Sequence, residues 1–139
     1  MNAPDFTLKE IESGKEWPLA AFKGKPLMIT FWTSWCPDSA VDLQQKNTFY
    51  NSLDEARLQF LTINVTGREG AEPAAAKFLE ENDYKFPVLQ DDGTKVYDAY
   101  QCMGVPTTFL IDENLQIAER YNDRARFIDI MNGVQKLIS

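Results

Sequence analysis

Histidine is missing from all 139 residues. Its absence excludes Cys–His and Ser–His–Asp catalysis, removes the commonest general base, and takes away the ligand on which most zinc sites depend. Cysteine is scarce, and Cys36 and Cys102 are too few for a disulfide framework. No apolar run approaches the roughly 18 residues that would mark a membrane span. The opening Met1-Asn2-Ala3-Pro4-Asp5-Phe6 passes almost directly into folded-looking sequence, without a signal-peptide pattern. Positive charge is in deficit, with 14 Lys and Arg against 21 Asp and Glu and a net charge of −7. That balance excludes the basic footprint of a nucleic-acid-binding protein and suits a soluble monomer.

What is present is a globular composition, 44% hydrophobic and 12% aromatic. The length fits a single domain over 1–139 with a sizeable core, and no repeat, low-complexity tract or linker divides it. Asp5-Phe6-Thr7-Leu8 and Glu16-Trp17-Pro18 read as two short strands around a Ser13-Gly14-Lys15 turn. Leu27 to Trp32 is apolar on both alternating faces except at Thr30, as a central parallel strand would be. From Pro37 the pattern is helical: Val41, Leu43, Phe49, Tyr50 and Leu53 form an apolar stripe, with Asp42, Gln44, Gln45 and Lys46 on the wet side.

Gln59 to Val65 is a second strand of high β-propensity, followed by a loop at Thr66-Gly70 and a helix from Glu72-Pro73 to Asn82. Phe86 to Gln90 is extended and Lys95 to Tyr100 a short helix. Thr107–Asp112 and Gln116–Tyr121 read as a hairpin, and Asp123 to Ile138 as an amphipathic closing helix. The order predicts an α/β fold in which crossovers make parallel strands and the late hairpin adds antiparallel ones.

Chemistry concentrates at Trp35-Cys36-Pro37-Asp38-Ser39, where strand gives way to helix. A thiolate at a helix N-terminus is favoured by unpaired N–H groups and the helix dipole, and such a thiolate attacks disulfides. Asp38 opposes this with a nearby negative charge. The spacing is that of C-x-x-C, but Ser39 stands where a second sulfur would resolve the mixed disulfide. The plainer alternative is an inert, partly buried cysteine. Glu80-Glu81 and Asp91-Asp92 read as solvated charges rather than a metal site.

Three segments together resemble the thioredoxin-like superfamily, in its TlpA/ResA-like thiol-disulfide oxidoreductase branch. Phe31-Trp32-Thr33-Ser34-Trp35-Cys36-Pro37-Asp38-Ser39 is similar to F-W-x-x-W-C-x-x-C. Gly104-Val105-Pro106-Thr107-Thr108-Phe109-Leu110-Ile111-Asp112 is similar to G-x-P-T-T-F-L-I-D, and Ala3-Pro4-Asp5-Phe6-Thr7-Leu8 to A-P-x-F-x-L. The resemblance spans nearly the whole chain. It implies a three-layer sandwich: a central mixed sheet flanked by helices, with an N-terminal β-hairpin and a helical insertion over about 66–90.

It also implies a cis Val105-Pro106 bond facing Cys36, with Val105 offering its backbone to an extended substrate segment. Cys36 and Ser39 are then the catalytic positions, and Trp35, Pro37, Asp38, Val105 and Pro106 the substrate contacts. No metal and no cofactor is implied. The implied partner is a disulfide- or thiol-bearing protein or a small thiol, in an extracytoplasmic and often membrane-tethered setting.

This chain departs from the branch at several places. Ser39 replaces the second cysteine, and Asp42 and Gln44 stand where a Glu and a helix-kinking Pro often follow. Glu69 is the candidate for the acidic residue the branch carries near its active site. Peroxiredoxins use a P-x-x-x-T-x-x-C setting with a partner arginine, which is not found around Cys36. Cys102 falls where the family usually has an aliphatic core residue, and it reads as a small hydrophobe.

Two accounts of Ser39 stand. If it is native, Cys36 works alone, by mixed disulfides that an external thiol releases. If it replaces a cysteine, the natural protein is a dithiol reductase. A different class of function drops the chemistry and leaves a module that binds an extended peptide beside Pro106.

Overall fold

A computed structural model describes residues 1–70 and 74–139. Seven strands form one mixed sheet: β1 (Thr7–Glu10), β2 (Glu16–Pro18), β3 (Leu27–Trp32), β4 (Gln59–Asn64), β5 (Val88–Gln90), β6 (Thr107–Ile111) and β7 (Ile117–Tyr121). Their spatial order is β2-β1-β5-β4-β3-β6-β7. β4 pairs in parallel with β3 and β5, while β6 lies antiparallel to both β3 and β7, and β1 to both β2 and β5. The helices are α1 (Pro37–Asn51), α2 (Ala74–Asn82), α3 (Lys95–Ala99) and α4 (Phe127–Ile138). Sheet and helices together make the thioredoxin-like α/β fold.

Central strands buried on both faces need apolar side chains at nearly every position, and β3 supplies them. Leu27, Ile29 and Phe31 join Leu8, Ile63, Tyr97, Tyr100 and Phe109 in an aromatic-rich layer on one side. Met28 and Trp32 join Leu43, Phe60, Leu79, Phe86, Leu110, Ile130 and Val134 on the other, where α1, α2 and α4 pack. Thr30 faces this second layer and is register partner to Thr108 of β6. Two hydroxyls thus open a polar hole in an apolar sheet face.

Lys46 fills that hole, contrary to the expectation that it lies on the wet side of α1. Its side chain is fully buried, and Asp42 beside it is only 12% exposed. The buried positions of α1 are Ser39, Leu43 and Lys46, one helical stripe, whereas Val41, expected in that stripe, is 59% exposed. Asp91 is a second correction. It is 4% exposed, and its carboxylate accepts the N–H groups of Val96 and Tyr97 at 2.9 Å each, capping the start of α3.

Burial pushes the Asp91 carboxyl up, and those backbone hydrogen bonds oppose the rise. The remaining differences are at element ends. The first strand begins at Thr7 and the last helix at Phe127, and a 3-10 turn occupies Thr66–Arg68 within the expected loop. The expected helix start at Glu72-Pro73 lies outside the described residues. Among those described, no helix is long and apolar enough to cross a membrane.

Candidate functional site

β3 ends at Trp32, and the chain turns through Thr33–Trp35 into α1, leaving Cys36 as the N-cap in extended conformation, φ −83° and ψ 118°. Pro37 suits the first helical position because it has no N–H to leave unpaired and its φ is already helical. The N–H groups of Asp38 and Ser39 follow in the first turn, where no intrahelical carbonyl can receive them. The helix dipole favours negative charge at this end, although among the described residues no first-turn N–H is hydrogen-bonded to the Cys36 sulfur. Cys36 is 8% exposed, and its Sγ lies 3.6 Å from the carbonyl oxygen of Val105.

Val105 and Pro106, joined by a cis peptide bond, stand at the entrance to β6. The Thr107 hydroxyl donates to the Gly104 carbonyl at 2.7 Å and closes this loop on itself. Cys36, Val105 and Pro106 are thus brought together, Pro106 buried and Val105 half-buried. Pro37 and Asp38 are exposed beside them, and Trp35 is 60% exposed at the rim. Met103, two residues before Val105, is 98% exposed. Sequence reasoning missed it, although its place just ahead of the Gly-Val-Pro loop was a usable signal.

Ser39 is fully buried, and its Oγ accepts a long, 3.5 Å hydrogen bond from the Thr33 N–H. Among the described residues no hydrogen bond joins it to Cys36. Glu69 holds the loop from behind: its carboxylate accepts the Ser34 N–H at 2.8 Å, the Ser34 hydroxyl at 2.5 Å and the Asn64 amide at 2.6 Å. The Trp35 indole N–H donates to the Arg68 carbonyl at 2.7 Å, and the Arg68 guanidinium lies over the Tyr97 ring at 4.9 Å. The turn at 66–69 therefore fixes both residues that precede Cys36.

Cys102 has no part in this arrangement. It is 8% exposed within the aromatic-rich layer, and burial pushes its thiol up to about 12 despite the opposing charge of Arg120. A thiol held protonated there is a poor nucleophile. The chemistry open to the site is attack by one sulfur on a group lying along the Val105 edge.

Residues 1–120 match the family model described as AhpC/TSA. The thiol-disulfide oxidoreductase ResA of Bacillus cereus is 31% identical over 118 residues, covering 85% of this chain and 66% of that protein. This chain spans just under two thirds of that relative's length. The crystal structure of StoA from Bacillus subtilis superposes with a TM-score of 0.82 at 25% identity, over 96% of this chain and 97% of that one. The exposed lipoprotein thioredoxin Etrx1 of Streptococcus pneumoniae gives 0.84 at 26% identity, over 96% and 100%.

Proposed function

Because the chain belongs to the AhpC/TSA family of thioredoxin-like proteins, we propose that it is a thiol–disulfide exchange domain working through one sulfur, Cys36. The observation that carries this reading is the Cys36 Sγ at a helix start, 3.6 Å from the Val105 carbonyl at the cis-proline loop. The thiolate attacks one sulfur of a substrate disulfide. A Cys36–substrate bond forms, the substrate's own S–S bond breaks, and the departing thiolate takes a proton from water. The substrate segment lies extended against Val105 and Pro106, with Trp35, Pro37 and Asp38 lining its path.

Serine has no sulfur, and its hydroxyl stays un-ionised near neutral pH, so it cannot expel the bound substrate by a second exchange. The adduct persists until an external thiolate attacks the substrate sulfur and returns Cys36 as thiolate. Ser39 serves as a buried hydroxyl that fills the space of the second cysteine. The substrates of this reading are disulfide- or thiol-bearing proteins and small thiols. The setting is extracytoplasmic, in keeping with the exposed lipoprotein among the similar structures.

Treatment of the reduced protein with oxidised glutathione tests the reading by mass spectrometry. A stable single adduct on Cys36 is expected. A rapid internal Cys36–Cys102 bond would overturn the single-sulfur mechanism. No reaction at Cys36 would leave the groove as a peptide-binding surface without redox chemistry.

A further inference from the structure

We propose that Lys46 is a positioning residue for the redox groove, tying the helix that carries Cys36 to the strand that follows Pro106. The inference rests on the thiol–disulfide reading above. The Lys46 ammonium has three donors, and three acceptors meet them: Asp42 Oδ2 at 2.8 Å, Thr30 Oγ1 at 2.8 Å and Thr108 Oγ1 at 2.5 Å. Thr30 and Thr108 also lie 3.2 Å from each other across the β3–β6 pair. The Lys46 side chain is fully buried, and that of Asp42 is 12% exposed.

Side chains on a helix lean towards its N-terminus, so Lys46 reaches back beneath the turns that begin at Cys36. Its far contact, Thr108, stands two residues beyond Pro106 on β6. The middle of α1, the helix whose N-terminus carries Cys36, is therefore joined by one charge-assisted clasp to β6, the strand that follows Pro106. Apolar contacts between helix and sheet are non-directional and permit small slides. A fully satisfied buried ammonium fixes one register. Its function is to hold Cys36 Sγ at its present separation from Val105, so that a bound segment meets sulfur and backbone together.

The test compares two disulfides on the full chain: bis(2-hydroxyethyl) disulfide, which needs only the sulfur, and a short extended peptide with a central cysteine capped by mercaptoethanol, which needs sulfur and Val105 edge at once. The double variant Asp42→Leu with Lys46→Met removes both charges at similar volume, a replacement that buried pairs often tolerate without loss of stability. It should slow adduct formation with the peptide about tenfold or more, as misplacement does, and leave the small disulfide unchanged.

Thr108→Val removes the hydroxyl contacts of β6 with Lys46 and Thr30 and leaves Lys46 held by Asp42 and Thr30. It should slow the peptide reaction about threefold, the scale of one hydrogen bond, and it decides the matter alone if the double variant does not fold. Unchanged rates for both disulfides, or an equal fall in both, would overturn the role of Lys46 and leave the exchange chemistry standing. A folded wild-type protein inert to both disulfides would overturn the exchange chemistry and this inference with it.

Discussion

Cys36 and Cys102 are equally buried, each 8% exposed, yet their surroundings differ in kind. Cys102 sits in the layer of Phe31, Tyr97, Tyr100 and Phe109, where burial outweighs the opposing charge of Arg120 and the thiol is pushed up to about 12. Cys36 stands at the N-cap of α1, where the helix dipole favours negative charge, and its thiol donates to the Val105 carbonyl at 3.6 Å. Reactivity follows from what a sulfur touches when it carries charge, and fractional exposure does not report it. The most severe test of the contrast removes each sulfur in turn. Cys36→Ser should abolish adduct formation with oxidised glutathione completely, while Cys102→Ser should retain the wild-type rate, both read by intact mass against time.

The contrast sharpens if a second sulfur is given to the polar pocket. Ser39→Cys places a thiol in the first turn of α1, at a fully buried position. Intramolecular attack then competes with external thiols, and effective concentration favours it strongly. The lifetime of a Cys36 mixed disulfide should fall by at least about 100-fold, with a disulfide between Cys36 and the introduced thiol as product. Persistence of the adduct would mean that position 39 is turned away from the reacting sulfur, as the hydrogen bond between Ser39 and Thr33 permits.

A smaller effect is expected where Glu69 braces the loop before Cys36. Glu69→Gln replaces a charged acceptor of three donors by a neutral amide. Hydrogen bonds to a charged group are worth about 1.5–3 kcal/mol, and this site is partly open, so about 1–2 kcal/mol of local stability should go. Amide exchange at Ser34 should quicken about tenfold or more, whereas amides around Cys102 should not change. Equal changes at both places would mean that the two regions are not independent.

Much of this arrangement was legible from local pattern. Six consecutive apolar or β-branched residues gave β3 and Pro37 gave the start of α1, while the facing of Cys36 and Pro106 was implied by the family resemblance of their two segments. Cys102 as core followed from the aliphatic residue the family usually has there and from free cysteine behaving as a small hydrophobe. Lys46 did not follow, because a lysine taken alone belongs in water.

Its burial depends on Thr30 and Thr108 falling opposite each other in register, which is a property of strand pairing and not of either segment. The signals were present separately: one hydroxyl in an otherwise apolar strand, and Asp42 and Lys46 four residues apart on the stripe of Ser39 and Leu43. Asp91 was misread for a similar reason, since the donors its carboxylate accepts, Val96 and Tyr97, lie on the next turn of chain. Val41 was the converse case, an apolar residue assigned inward that α1 turns outward.

The last and smallest expected effect concerns stability at high pH, and it isolates the apolar thiol. An unfolded Cys102 would lose its proton near the ordinary 9.0, while in the folded chain it holds it to about 12. Between those limits the unfolded chain binds fewer protons, so stability falls as pH rises. The contribution is present in full below pH 9 and is lost progressively towards 12. Tyr50, raised to about 12 by burial and by the Glu55 carboxylate beside it, adds a loss of the same sign, so the measurement is a difference between proteins. Cys102→Ala removes the first titration and leaves that of Tyr50 in place. Its urea midpoint should lie below that of the wild type at pH 7, through the lost side chain, and the gap should narrow as pH is raised from about 9 to about 11. A constant gap would mean that the Cys102 thiol ionises as freely inside the fold as outside it, and the difference between the two sulfurs would lose its physical basis.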